Sequence, residues 1–178
     1  CTNIPLWWIN NFYKKEIKQK KKEYFDTRNI IGMTMWLSAA VNRPGNVIVR
    51  HIQRGYPLKE IDKKMKKSAF ILRMAFESTS KSPKVNNIYS ELYTKSLNAL
   101  AFNLTAIYFN QNNSELKKNQ DAVEMIRRIM IEGEKVMNIL NIHHVQDYND
   151  RINQTLSSSI HTMSMLNDYR KKRKNEIK

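Results

Sequence analysis

Cysteine occurs once, at Cys1, so an internal disulfide framework is excluded and a reducing compartment suits the chain. Glycine is nearly as scarce. Its four residues are scattered through 178 positions, which excludes a GxGxxG turn or a Walker-type loop within this sequence. No apolar run nears the roughly 20 residues that a membrane-spanning helix needs. Trp7 and Trp8 are followed almost at once by lysines, unlike a signal peptide. Acidic residues are few, 16 against 31 Lys and Arg, leaving a net charge of +15. That surplus invites a nucleic-acid reading. However, the charge runs at 14–22, 63–67 and 170–174 lie far apart, and none is interleaved with the aromatics of a single-strand platform. The charge reads as a compositional bias. The expectation is a cytoplasmic protein without a membrane segment, for which nucleic acid is not the first partner. The chain does not open on methionine and is read as a fragment.

Hydrophobic content of 41% and charged content of 26% are those of an ordinary globular protein. Residues 1–5 read as the end of a strand running into a turn, with Pro5 placed to start a helix. Leu6 to Tyr13 then supplies aromatic anchors. Asn29 to Val41 reads as one long strand, Arg43-Pro44-Gly45-Asn46 as a turn, and Val47 to Val49 as the return strand. Gly55-Tyr56-Pro57 marks the next turn. From Ile61 the period becomes helical, with Met65, Ala69, Leu72 and Phe76 as the expected buried side. Polar residues 78–86, with Pro83, are the best domain boundary. Beyond it lie three helical regions: 90–106, 119–141 and 147–171, the last broken near Ser157–Ser159. The second carries Ala122, Ile126, Ile129, Met130, Gly133, Val136, Met137 and Leu140 at helical spacing. A mostly β portion is thus followed by an all-helical one.

Within 90–106, Leu92, Ala99, Phe102 and Ala106 lie close to one stripe, and Lys95 falls inside it. Asn103 stands at one edge and Asn98 just past the other. Burying an unpaired ammonium costs several kcal/mol, roughly. Spacing alone leaves two readings open: a lysine that snorkels past its own stem, or one held there for chemistry. No metal site is expected, since His143 and His144 are adjacent and no Cys or carboxylate stands at ligand spacing. Ser157–Ser159 sit in no strand-turn-helix context for a nucleophile. In Ser164-Met165-Leu166-Asn167-Asp168, the apolar pair can dock on a core, which turns Ser164 and His161 toward one face. Ser164 can equally cap or back-bond within its own helix.

Several stretches together resemble the ketopantoate reductase family (2-dehydropantoate 2-reductases), along nearly the whole chain. The family's Glu-Leu-Trp-x-Lys helix start appears as Glu91-Leu92-Tyr93-Thr94-Lys95, with Asn103 at the second family asparagine and Thr105-Ala106 after it. Its Ser-Met-Leu-x-Asp and later Glu-Ile-Asp appear as Ser164 to Asp168 and Glu176-Ile177. Asn3-Ile4-Pro5-Leu6-Trp7-Trp8 resembles the Asn-Gly-Ile-Pro-Trp-Trp turn of one branch, and Pro44-Gly45 through Arg50-His51-Ile52 resembles its hairpin. Departures are equally plain. The first family asparagine falls at Ala99, with Asn98 one residue early, and the proline after the second is absent. The glycine after Asn3 is gone, and Lys178 stands where the family has aspartate.

The resemblance implies an α/β remnant of a Rossmann domain edge, residues 1–84. It is followed by an all-α substrate domain, residues 85–178, like the helical C-terminal domain of 6-phosphogluconate dehydrogenase. The family's glycine loop and its closing helices lie outside this sequence. The implied activity is NADPH-dependent reduction of 2-dehydropantoate to pantoate, toward pantothenate, in a chain that is doubtful as an enzyme by itself. Lys95 would protonate the ketone oxygen, and Glu176 would bind the substrate hydroxyl and set the geometry around Lys95. Asn98, Asn103 and Ser164 would bind substrate, Ser164 at its carboxylate. Asn3 would lie at the nicotinamide edge, with Ala39 approaching the cofactor by its backbone. The implied partners are a 2-keto acid and a separate chain carrying the rest of the Rossmann part. The rival reading is a non-catalytic, basic helical module for nucleic acid or another acidic partner.

Overall fold

The computed structural model describes residues 29–157 and 162–173, and the chain divides into two compact units, Cys1–Lys95 and Ser96–Lys178. In the first, β1 (Ile31–Met33) pairs antiparallel with β4 (Leu58–Glu60), and β2 (Trp36–Arg43) pairs antiparallel with β3 (Asn46–Gly55). The β2–β3 hairpin turns at Gly45, whose φ of +78° suits a residue without a Cβ. A 3-10 turn (Lys63–Met65) leads into α1 (Lys66–Glu77), with the Asp62 side chain accepting from the Lys64 amide. The expected strand 29–41 is therefore two strands. Thr34 and Met35 leave the ladder, and the Thr34 amide donates to the Pro57 carbonyl at 3.0 Å instead. α1 corrects a second expectation: Ala69 alone is buried, while Leu72 is exposed and Met65 and Phe76 are half-buried. Its apolar residues run round the helix, so their spacing marks no single face. Phe76 instead stacks on Tyr56, ring centroids 4.7 Å apart.

The helix α2 (Ile88–Phe109) runs from the first unit into the second. Its first turns carry Ile88 and Leu92, the centre of a small core with Ile61, Tyr89 and Tyr93. β1 accommodates that start because Gly32 has no Cβ; one would lie 2.6 Å from Cγ1 of Ile88. Four more helices follow: α3 (Asn113–Leu116), α4 (Gln120–Ile139), α5 (Tyr148–Ser157) and α6 (Ser164–Arg170). Asn112 closes a capping box with Glu115 at the start of α3, and Asn119 caps α4 through the Ala122 amide. The core of the second unit gathers Ala101, Phe102 and Ala106 from α2, Leu116, then Ala122, Ile126 and Met130 from α4, Ile152 and Leu156, and Leu166. Val136 and Leu140, expected on the inner stripe of α4, are exposed, while Met137 is buried. α2 ends on Asn110 at φ +52°, whose side-chain and backbone oxygens accept from Arg170, tying α6 to it. Among the described residues, no helix is long and apolar enough to cross a membrane.

Candidate functional site

Lys95 closes the first unit, one helical turn beyond Glu91 on the same face of α2. Its stem is half-buried, and its Nζ donates to the Met35 carbonyl. That carbonyl is available because Thr34 and Met35 stand outside both strand pairs. The beginning of α2, the β1–β2 junction and the end of β3 thus meet at one corner. Burial alone holds the Lys95 ammonium below the ordinary lysine range. Among the described residues it makes no ion pair.

The carboxylate that could have paired with it is engaged elsewhere. Glu91 is 1% exposed. Its Oε1 accepts from Arg54 Nη2 at 2.5 Å, and its Oε2 from the Trp36 indole Nε1 at 3.1 Å. Both oxygens are satisfied and the charge is neutralised by Arg54, which is what a buried carboxylate requires. Next to the Met35 carbonyl, the Thr34 hydroxyl is buried with no hydrogen-bond partner. Thr34, Trp36, Arg54 and Glu91 were not singled out by composition or spacing. The one available signal was Glu91 itself, a carboxylate on the apolar face that also carries Lys95.

The other sequence-derived residues are placed as follows. Asn98 and Asn103 follow Lys95 on α2, in the second unit, and both are half-buried. Asn103 Nδ2 donates back to the Ala99 carbonyl at 2.8 Å, which leaves its Oδ1 buried and unpartnered. The Oδ1 of Asn98 is also buried without a partner. Such oxygens carry a desolvation cost that a ligand donor would relieve. Ser164 is the exposed first residue of α6; Met163 occupies the cap position, and no side-chain cap bond is made. Ala39 is exposed on β2, at a register irregularity between Ser38 and Ala39. Asn3, His161 and Glu176 lie outside the described residues. Among the described residues, no three His, Cys, Asp or Glu side chains cluster as metal ligands.

The second unit holds a further buried charge. Arg151 on α5 is 1% exposed and donates through Nη2 to Glu134 on α4. His144 Nδ1 lies 3.7 Å from the same carboxylate oxygen. This group braces α4 against α5.

Against known proteins, the family described as "Ketopantoate reductase PanE/ApbA C terminal" matches residues 87–178, starting one residue before α2. No curated protein matches the chain by sequence. Solved structures share its fold, among them the following three. A complex of D-mandelate dehydrogenase with NADH is 24% identical, with a TM-score of 0.70 over 92% of this chain and 55% of that one. The ternary structure of D-mandelate dehydrogenase with NADH and anilino(oxo)acetate is 25% identical, with a TM-score of 0.70 over 92% and 54%. The 2-dehydropantoate 2-reductase from Geobacter metallireducens GS-15 is 20% identical, with a TM-score of 0.74 over 86% and 52%. The chain spans about half the length of the structures it matches. The fold class expected from the sequence, an α/β Rossmann edge followed by an all-α domain, is the one found.

Proposed function

From the premise that this chain belongs to the ketopantoate reductase family, we propose that it serves the NADPH-dependent reduction of 2-dehydropantoate to pantoate, with Lys95 as the acid. In this reading, residues 1–84 are the closing part of an NADP-binding domain and residues 85–178 the substrate domain, in a cytoplasmic enzyme. The carrying observation is the half-buried Lys95 ammonium, seated on the Met35 carbonyl with no counter-ion among the described residues. Burial disfavours the charged form, so transfer of the Nζ proton to a developing alkoxide becomes easier. The charge it stabilises appears mainly in the transition state. A substrate ketone oxygen would take the place of the Met35 carbonyl.

The unpartnered Oδ1 atoms of Asn98 and Asn103 are suited to accept from a substrate hydroxyl. Ser164 is assigned to the carboxylate, Glu176 to the hydroxyl and the setting of Lys95, and Asn3 to the nicotinamide edge. Ala39 fits an approach by the cofactor, because its small side chain is exposed where the ladder is irregular. When bound, the nicotinamide cofactor supplies the hydride to the carbonyl carbon. That solved D-mandelate dehydrogenases share the fold with NADH bound makes NADH the natural cofactor control, and a second 2-keto acid the natural substrate control.

The test is NADPH oxidation with 2-dehydropantoate, by this chain alone and joined to the nucleotide-binding half of a longer relative. Lys95→Ala is expected to lower turnover by about 10² to 10⁴, with a smaller effect on KM. Turnover within a few-fold of the parent would end the assignment.

A further inference from the structure

A glutamate four residues before a lysine on a helix ordinarily forms an ion pair with it. Here that pair is not made. Glu91 spends one oxygen on Arg54 and the other on Trp36, and Lys95 turns to the Met35 carbonyl. Arg54 stands on β3, 37 residues before Glu91, so nothing local to the helix dictates the exchange. We propose that Arg54 is a positioning residue for Lys95: by holding Oε1 of Glu91, with Trp36 on Oε2, it keeps from the ammonium the carboxylate one helical turn below.

Three observations carry this. Glu91 is sealed from water, so it must be neutralised by some cation within reach, and among the described residues Arg54 and Lys95 are the two that this corner offers. Arg54 meets Oε1 with one N–H while the Trp36 indole takes Oε2, so both oxygens of Glu91 are already engaged by donors other than Lys95. The β1–β2 junction meets Lys95 through the Met35 carbonyl, and among the described residues Glu91, paired with Arg54 of β3, is the carboxylate one helical turn away on α2. The consequence for chemistry rests on Lys95 being the acid. Paired with Glu91, its proton would be held more tightly and its charge already compensated. Left unpaired, the full charge stands ready for a substrate oxygen.

The experiment reads Lys95 directly, without turnover. The full 178-residue chain is pulse-labelled with acetic anhydride across the alkaline range, and the peptide holding Lys95 is quantified by mass spectrometry. Arg54→Met should raise the Lys95 pKa by about one unit or more, as the freed carboxylate turns to it. Arg54→Lys should leave it near the parent value. Arg54→Met combined with Glu91→Gln should bring it back down, because no carboxylate is then left to pair. Trp36→Phe should raise it by less than Arg54→Met does. No rise in Arg54→Met overturns the proposal. So does a rise that persists in the double variant, since that would report loosened packing and not a new ion pair. Should Arg54→Met fail to fold by circular dichroism, Trp36→Phe decides alone, and the absence of a rise there overturns it. Turnover that survives Lys95→Ala would sink the acid role but not this charge arrangement. An unmoved Lys95 pKa would sink the arrangement and leave the acid role standing.

Discussion

Replacing Gly55 by alanine should damage both the stability of the first unit and the seat of Lys95. Gly55 ends β3, pairs with Trp36 across the hairpin ladder, and immediately follows Arg54. Its φ is +69°, in the left-handed region that costs a residue with a Cβ about 1 kcal/mol or more. Space is the larger obstacle. A Cβ there would lie 2.1 Å from the Lys81 carbonyl oxygen and 2.8 Å from its carbon. The same oxygen accepts from the Tyr56 amide at 2.8 Å, and the Tyr56 carbonyl accepts from the Ser82 hydroxyl at 2.8 Å, so the obstructing backbone is pinned. Relieving such a clash by backbone displacement adds about 1–3 kcal/mol. The expected loss is therefore about 2–4 kcal/mol.

Gly45→Ala is the matched control. Its φ of +78° is equally unfavourable, but nothing lies within 4 Å of the added carbon, so only the conformational cost should be seen. Urea unfolding followed by tryptophan fluorescence suits the comparison, because all three tryptophans lie in the first unit. Equal losses for the two variants, within about 0.5 kcal/mol, would refute the argument that the Lys81 carbonyl dictates glycine at 55.

Two further outcomes follow from buried charges. Glu134→Gln should cost about 3–5 kcal/mol, because it strands Arg151, whose Nε and Nη1 already lack partners. Glu134→Leu with Arg151→Met should cost clearly less than that single change in the same urea assay, and an equal or greater cost would contradict it. For Lys95, burial lowers the folded-state pKa, so the unfolded chain holds that proton at pH values where the folded chain has released it. Stability of the parent relative to Lys95→Met should therefore rise with pH, from the lowered value up to the ordinary lysine range. A relative stability that falls across that window would show the sign to be wrong.

The fold was legible where apolar residues keep to one side. α4 shows this: Ala122, Ile126 and Met130 recur at four and reach the core. The same logic fails at α1, where Phe70, Ile71 and Met74 are exposed and apolar residues flank the buried Ala69 on every side. It also fails at Thr34 and Met35. Both have strand-forming or neutral side chains with no Gly or Pro between them, so local propensity carries the strand straight through. The break is made by bonds to Pro57 and Lys95, which stand 23 and 60 residues away (57 minus 34; 95 minus 35). A ladder interrupted by distant partners leaves no mark on its own residues.

Lys95 could be found because an ammonium within an apolar stripe contradicts its surroundings, and such contradictions survive in sequence. Its setting could not be found the same way. Read locally, Glu91 and Lys95 are the most ordinary of helical pairs, worth about 0.2–0.5 kcal/mol, and a reading along the helix would join them. The structure separates them because two residues of another element type, Trp36 and Arg54, reach Glu91 from 55 and 37 positions away. The chain therefore forgoes a small local gain on α2 and satisfies Glu91 from the β2–β3 hairpin. The same step ties that hairpin to the helix and leaves the lysine without an anion among the described residues. A hairpin shifted by one residue would turn Trp36 and Arg54 to its opposite face, and among the described residues Lys95 would then be left to neutralise Glu91. The register of β2 on β3 is in this sense part of the site. Substitutions at its irregular positions, such as the one beside Ala39, bear on the charge state of a lysine they do not touch.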